Sequence, residues 1–285
     1  MKWLSFLFLA FCSVTFAQLP DTDIWLFKLK GEKGKLILGE GKNITSRKGY
    51  DNQPFITSDG KNILYISIRE DNQSDVYKYD VEKNTSIQFT FTKESEYSPM
   101  YTSDQKNISC VVVEADSAQR LWLYNLDGSQ NRCYNTGIDS IGYSTWLSKD
   151  TLLYYKLTKP HSLRMYCDIS KEDKWICNDP TRAFKKMDAD HFIYGIKDST
   201  QIHYRVYNKL IRKSEEYTVH QSTNEDFIWH PEYGLIKSEG SKLYWFNGSD
   251  KKWSVLFDLS ASGIKKITRF AFDPKNKFIV VVDNL

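Results

Sequence analysis

Two ladders of short apolar segments run through this 285-residue chain out of phase with each other, and together they leave few folds open. The first reads apolar–any–any–aromatic in six places: Ile24–Phe27, Val76–Tyr79, Leu121–Tyr124, Leu163–Tyr166, Tyr204–Tyr207 and Leu243–Phe246. From the second copy on, the starts lie 45, 42, 41 and 39 residues apart. The second ladder starts at Ile63, Ile108, Leu152, Phe192, Leu235 and Phe278, in steps of 45, 44, 40, 43 and 43. A repeat of about 40–45 residues built from short strands is the signature of a β-propeller blade. The same platform carries binders and enzymes, so the period speaks to architecture before function.

Turn chemistry separates the segments. Ser58-Asp59-Gly60-Lys61 offers an Asp that can bond its own backbone and a Gly that accepts positive φ. Ile63–Ile68 is apolar at both odd and even positions, as a strand covered on both faces requires. Blade one then expects strands at 52–57, 63–68, 76–80 and 87–91. Four further blades follow the same plan, the fourth with the most degraded pattern. At the end, Arg269–Phe272 and Phe278–Val282 supply only two strands. Ile24–Lys28 and Lys35–Leu38, at the other end, supply the missing two. The expectation is an all-β fold, a six-bladed propeller of four-stranded antiparallel blades whose last blade is closed by the N-terminal strands. Such closure removes the open sheet edges.

Residues 1–17 read as a secretory leader, with Lys2, a largely apolar run from Trp3 to Phe11 and cleavage after Ala17. The bulky Phe11 ahead of Cys12 argues against lipidation. Residues 18–285 are then a single domain, periplasmic or secreted, with no transmembrane segment and expected as a monomer. With 39 basic against 36 acidic residues and no Lys/Arg block, nucleic acid is not the expected partner. Cys110, Cys133, Cys167 and Cys177 remain after cleavage. They form no Cys-x-x-Cys, and Cys167 with Cys177 is open between a disulfide and two free thiols.

Blade one, PFITSDGKNILYISIREDNQSDVYKYD, resembles the repeat of the TolB-like propeller family at Ser58, Asp59, Gly60, Lys61, Ser67, Arg69, Val76, Tyr77 and Asp80. The usual Pro between Ser and Asp is absent, and blade two keeps only Ser103, Asp104 and Lys106. The resemblance implies six blades with a clasp between the termini. It also implies a free-standing propeller module that binds proteins or ligands, without an added α/β or hydrolase domain.

Catalytic signatures are sparse. Gly142-Tyr143-Ser144-Thr145-Trp146 lacks the second Gly of a nucleophile elbow. The five histidines form no ligand pair, and neither metal nor cofactor is expected. Most tryptophans read as packing between blades. The starts of the inner strands nominate Tyr50, Glu96, Tyr143, Arg182, Asp226 and Arg269 as a partner- or ligand-binding surface, with no catalytic residue. The expected function is a non-catalytic binding module engaging an envelope or extracellular protein partner. The alternative is a small envelope hydrolase, lactonase or lyase acting on a sugar-like substrate in the funnel, where Glu96, Asn224 and Asp226 are acidic or amide candidates.

Overall fold

A computed structural model describes residues 19–31 and 36–285 of the chain. The leader read at residues 1–17 lies outside the described residues. The chain opens with β1 (Thr22–Lys30) and β2 (Ile37–Asn43). Blade one is β3 (Tyr50–Ile56), β4 (Asn62–Ile68), β5 (Ser74–Asp80) and β6 (Thr85–Gln88). Blade two is β7 (Ser95–Tyr101), β8 (Ile108–Val113), β9 (Gln119–Tyr124) and β10 (Gln130–Cys133). Blade three is β11 (Ile141–Ser148), β12 (Thr151–Lys156), β13 (Ser162–Cys167) and β14 (Glu172–Asn178). Blade four is β15 (Pro180–Lys186), β16 (His191–Lys197), β17 (Gln201–Asn208) and β18 (Lys213–Gln221). Blade five is β19 (Phe227–His230), β20 (Gly234–Glu239), β21 (Lys242–Asn247) and β22 (Lys252–Asp258). The last blade has the order β23 (Ile267–Phe272), β24 (Phe278–Asn284), β1, β2.

The two ladders are the second and third strands of each blade, and the reason is burial on both faces. In β4, Ile63 and Tyr65 enter the cluster shared with the last blade, whereas Leu64 and Ile66 enter the one shared with blade two. In β24, Val280 and Val282 face blade one while Ile279 and Val281 face blade five. Alternation of side chains along a strand thus fills one apolar seam on each side. Among the described residues there are six such seams, one between each pair of neighbouring blades. The buried tyrosines of the second strands bond outward to the fourth. Tyr65 Oη donates to Ser86 Oγ at 3.0 Å, Tyr154 to Asp173 at 2.9 Å and Tyr194 to Ser214 at 2.8 Å. A phenol buried in a seam needs such a partner.

Ring closure takes the expected form. β1 pairs antiparallel with β24 in unbroken register from Thr22↔Asn284 to Lys28↔Phe278. On its outer side β1 pairs with β2. Asp23 ties the turn after β2 back to β1, accepting from Asn43 Nδ2 at 2.6 Å and Thr45 Oγ1 at 3.1 Å. Thr22 Oγ1 donates to the Asp51 carbonyl at 2.9 Å, linking the last blade to blade one.

Two local expectations change and one open alternative is decided. The second N-terminal strand is Ile37–Asn43 rather than Lys35–Leu38, and Lys35 lies outside the described residues. The outer strand of blade one ends at Gln88, not Phe91. There Phe89 turns into the seam and Thr90 Oγ1 accepts from Val76 N at 3.0 Å, which ends the ladder. No disulfide joins Cys167 to Cys177, and both are free thiols. Cys177 faces Leu163 and Cys167 faces Glu172 across β13 and β14, four residues out of register along β13. That offset is roughly 13 Å at ~3.3 Å per residue, about twice what a disulfide spans.

Ile24, fully buried and opposite Val282, carries the closing strand into its seam. Ile24→Ala is expected to lower unfolding stability in urea by about 2–4 kcal/mol. Ile37→Ala, on the exposed outer strand, should stay within about 0.5 kcal/mol. Equal effects at the two positions would show that the closing strand does not hold the ring.

Candidate binding site in the central channel

The first strands line the axis. β3, β7, β11, β15, β19 and β23 neighbour one another in that cyclic order. Bulges break the register of five of them against their second strands. In β3 and β7 the bulge carries Gln53 at φ 56 and Ser98 at φ 51. Gln53 Oε1 accepts from Ser98 N at 2.6 Å, so one bulge steadies the next.

Five of the six nominated residues meet here. Arg269 Nη1 lies 3.9 Å from Asp226 Oδ1, and its guanidinium sits 5.4 Å from the centre of the Tyr143 ring. Asp226 Oδ2 also accepts from Phe270 N at 3.3 Å. Arg182 Nη2 donates to Thr268 O at 2.9 Å and to Asn224 Oδ1 at 3.3 Å. Asn224 is nearly buried and spends its own amide on Ser238 Oγ and the Ile267 carbonyl, so it is a brace. Tyr50 completes the group. Burial pushes its phenol pKa up, while Arg269 and Arg182 oppose the shift.

Sequence reasoning missed Lys185, Ser144 as a polar wall, and Gln53. All three line an internal cavity of about 110 Å³ with Tyr143, Arg182, Asp226 and Arg269. The Ser144 hydroxyl and Arg182 Nε are buried without a hydrogen-bond partner among the described residues. An unsatisfied buried donor costs about 1–3 kcal/mol. Lys185 has no hydrogen bond or ion pair among the described residues, and burial pushes its pKa down against the pull of Asp226. Its position in a first strand was the available signal, but the bulge between Pro180 and Phe184 hides which way its side chain points.

The cavity adjoins a wider one of about 610 Å³, and the two share Pro54, Phe55, Lys185 and Phe270. The wider one has Trp229 and Phe272 in its walls, and its rim is made by the turns between first and second strands. Those turns are rigid. Asp59 Oδ1 accepts from Thr57 Oγ1 at 2.6 Å and Lys61 N at 2.9 Å, and Asp104 repeats this with Thr102 and Lys106. These bonds hold both carboxyls below the usual range. Gly60, at φ 73, also leaves room for the Asp273 carboxylate, which a Cβ would strike. His230 accepts from Glu232 N and Tyr233 N through Nδ1 and donates Nε2–H to Asn276 Oδ1 at 2.7 Å. It braces the rim.

Other candidates sit elsewhere. Arg69 stays within its own blade, its guanidinium 4.1 Å from the Tyr77 ring centre and its Nε on Ser67. Trp146 packs in a seam with Nε1 on Ser109 Oγ, as a packing residue should. Trp229 reaches the channel mouth instead, and Trp175 is half exposed on an outer strand.

Glu96 is not brought to the channel. It is fully buried in the seam between blades one and two, where Thr90 Oγ1 donates to Oε2 and Tyr124 Oη to Oε1, each at 3.0 Å. Thr92 also bonds it. Burial pushes its pKa up to about 7 despite these bonds, and nearby Asp75 adds to the rise. A carboxyl raised in the folded state takes up a proton that the unfolded chain releases, so its contribution is complete below about pH 4.5 and fades as pH climbs through about 7. Glu96→Gln should flatten the fall in stability between pH 5 and 8 and leave the variant up to about 3 kcal/mol more stable than the parent at pH 8. Parallel pH-dependence in urea melts of the two proteins would place the raised group elsewhere.

No family model matches the chain, and no curated protein matches it in sequence. Solved structures do match. A putative TolB from Agrobacterium tumefaciens aligns at TM-score 0.66 and 10% identity over 94% of this chain and 99% of that one. A gluconolactonase from Xanthomonas campestris aligns at 0.63 and 9% over 90% and 94%. TolB from Acinetobacter baumannii aligns at 0.56 and 11% over 92% of this chain and 63% of its own. At these identities the likeness is one of fold. The chain has the TolB-like β-propeller fold.

Proposed function

We propose that this chain is an exported, non-catalytic propeller that binds a protein partner or ligand through its central channel, in the cell envelope or outside the cell. The observation that carries the reading is the convergence of Tyr143, Arg182 and Arg269, from β11, β15 and β23, and Asp226, just ahead of β19, on one cavity with unsatisfied polar groups in its walls. A wall with spare donors is arranged to receive acceptors from outside. Export rests on the leader pattern at residues 1–17, and the single-domain reading on residues 18–285. Among the described residues no helix is long and apolar enough to cross a membrane.

Hydrolysis or elimination on a sugar-like substrate is the competing reading, in line with the gluconolactonase among the similar folds. Two-carboxylate glycoside chemistry needs an acid and a base on either side of one bond. The inner cavity offers a single carboxylate, Asp226, and Arg269 and Phe270 N already engage it. Glu96, the second acid that chemistry would draw on, is enclosed in a seam. Among the described residues no group of three His, Cys, Asp or Glu side chains is placed to hold a metal ion. This arrangement favours binding.

A photo-crosslinking residue placed at Trp229, inside the mouth, should trap the native partner in envelope preparations. The same residue at Trp175, on the outer edge, should not. Trapping at 175 with none at 229 would move the interface to the outer edge and refute the channel.

A further inference from the structure

The channel's charge is unbalanced. Arg182, Lys185 and Arg269 face one another around the inner cavity, and Asp226 is the lone carboxylate among its lining residues. Arg269 is the closest of the three cations to that carboxylate. The Arg182 guanidinium is held by neutral oxygens, those of Asn224 and Thr268, and keeps a buried Nε–H with no acceptor, while its main-chain N donates to Glu225 Oε2 at 3.3 Å. Lys185 stands at the junction of the inner and outer cavities with no anion bonded to it among the described residues. Ser144, only 6% exposed, brings a second unpartnered group, a hydroxyl, to the same wall. At the outer mouth the charges are mixed, Lys185 and Lys186 against Glu232 and Asp273, and the walls turn apolar with Phe55, Trp229 and Phe272.

We infer that the inner cavity is a carboxylate-binding site, and that its ligand is an organic acid with an apolar body lying in the outer cavity. This rests on the channel-binding reading above and specifies its ligand. Volume supports it. About 110 Å³ is ample for one carboxylate and too small for its apolar body as well. The larger cavity, with its aromatic walls, has room for a ring or side chain. The Lys185 ammonium donates to the carboxylate, with the positive charge of Arg182 and Arg269 on the same wall, and charge-assisted bonds of this kind are the strong ones. An acid of this chemistry is either a free small molecule or the C-terminus of a peptide.

The test uses the full mature chain and follows intrinsic tryptophan fluorescence or titration heat with inorganic sulfate as a control and four organic probes. Two are acids, phenylacetate and N-acetyl-Gly-Phe, and two are their neutral amides. Each acid should bind at least tenfold more tightly than its amide, and the tighter acid identifies a free molecule or a chain terminus as the source. Lys185→Gln should lose at least tenfold in acid affinity with no fall in Tm, since it removes a half-buried charge that has no ion pair among the described residues. Lys186→Gln, an exposed lysine at the rim, makes the same change in net charge and should lose less than threefold. Amides that bind as well as acids, inorganic sulfate that binds as well as phenylacetate, equal losses in the two lysine variants, or no binding by any probe would each overturn the carboxylate site. Crosslinking at position 229 that persists in Lys185→Gln would show that the channel still binds a partner while this assignment fails. Loss of all crosslinking at 229 in the parent protein would remove the channel reading itself.

Discussion

Everything in this molecule depends on strands that are apolar on both faces. A second strand such as β4 or β24 covers one seam with its odd residues and the next with its even ones, so it has no solvent face to offer. A blade cut out of the ring would therefore expose two apolar surfaces at once. Stability in such an array comes from interfaces between units more than from the units themselves. The last interface must also form, or the first and last seams stay open. That is what β1 does by lying in register along β24, with Ile24 and Leu26 in one seam and Phe27 and Leu29 in the other.

The same constraint explains what could be read in the sequence. Second strands are apolar on both faces and third strands keep an apolar–any–any–aromatic pattern, so both stand out at a regular spacing, and the split of the last blade between the two ends follows from counting them. Outer strands face solvent and carry no such pattern. Ile87–Phe91 therefore read as one strand, although Phe89 leaves it for the seam and Phe91 projects into solvent. Register between strands was equally hidden. Cys167 and Cys177 flank a short turn, the spacing of a facing pair on two antiparallel strands, yet the pairing sets Cys177 of β14 opposite Leu163, at the far end of β13 from Cys167.

The site was half legible for a related reason. Position at the start of a first strand says that a residue is near the axis, but not whether its side chain turns inward or into a seam. Asp226 and Glu96 illustrate the two outcomes. Asp226 reaches Arg269 and the channel. Glu96 finds Thr90, Thr92 and Tyr124 and is sealed between blades, where its raised pKa is a consequence of packing. A perturbed carboxyl marks a functional site only when it also faces a cavity. Lys185 makes the converse point. It drew no attention in a blade with a weak pattern, and yet it stands where both cavities meet.

A rigid ring can hold such a lysine because the cost is spread. Six seams fix the first strands, the bulges at Gln53 and Ser98 lock to each other, and Asn224 pins Arg182 against the backbone of the last blade. None of these bonds involves Lys185 or the Ser144 hydroxyl. The frame is complete without them, so their unmet bonding capacity is not used for folding. Unpartnered donors that a fold does not need, gathered around one cavity and facing a larger apolar one, are preorganised at no further conformational cost when a ligand arrives. A flexible surface loop bearing the same lysine would have to be ordered first. What the propeller brings to the proposed site is therefore the stiffness of its walls, which comes from the same alternating apolar strands that first marked the fold.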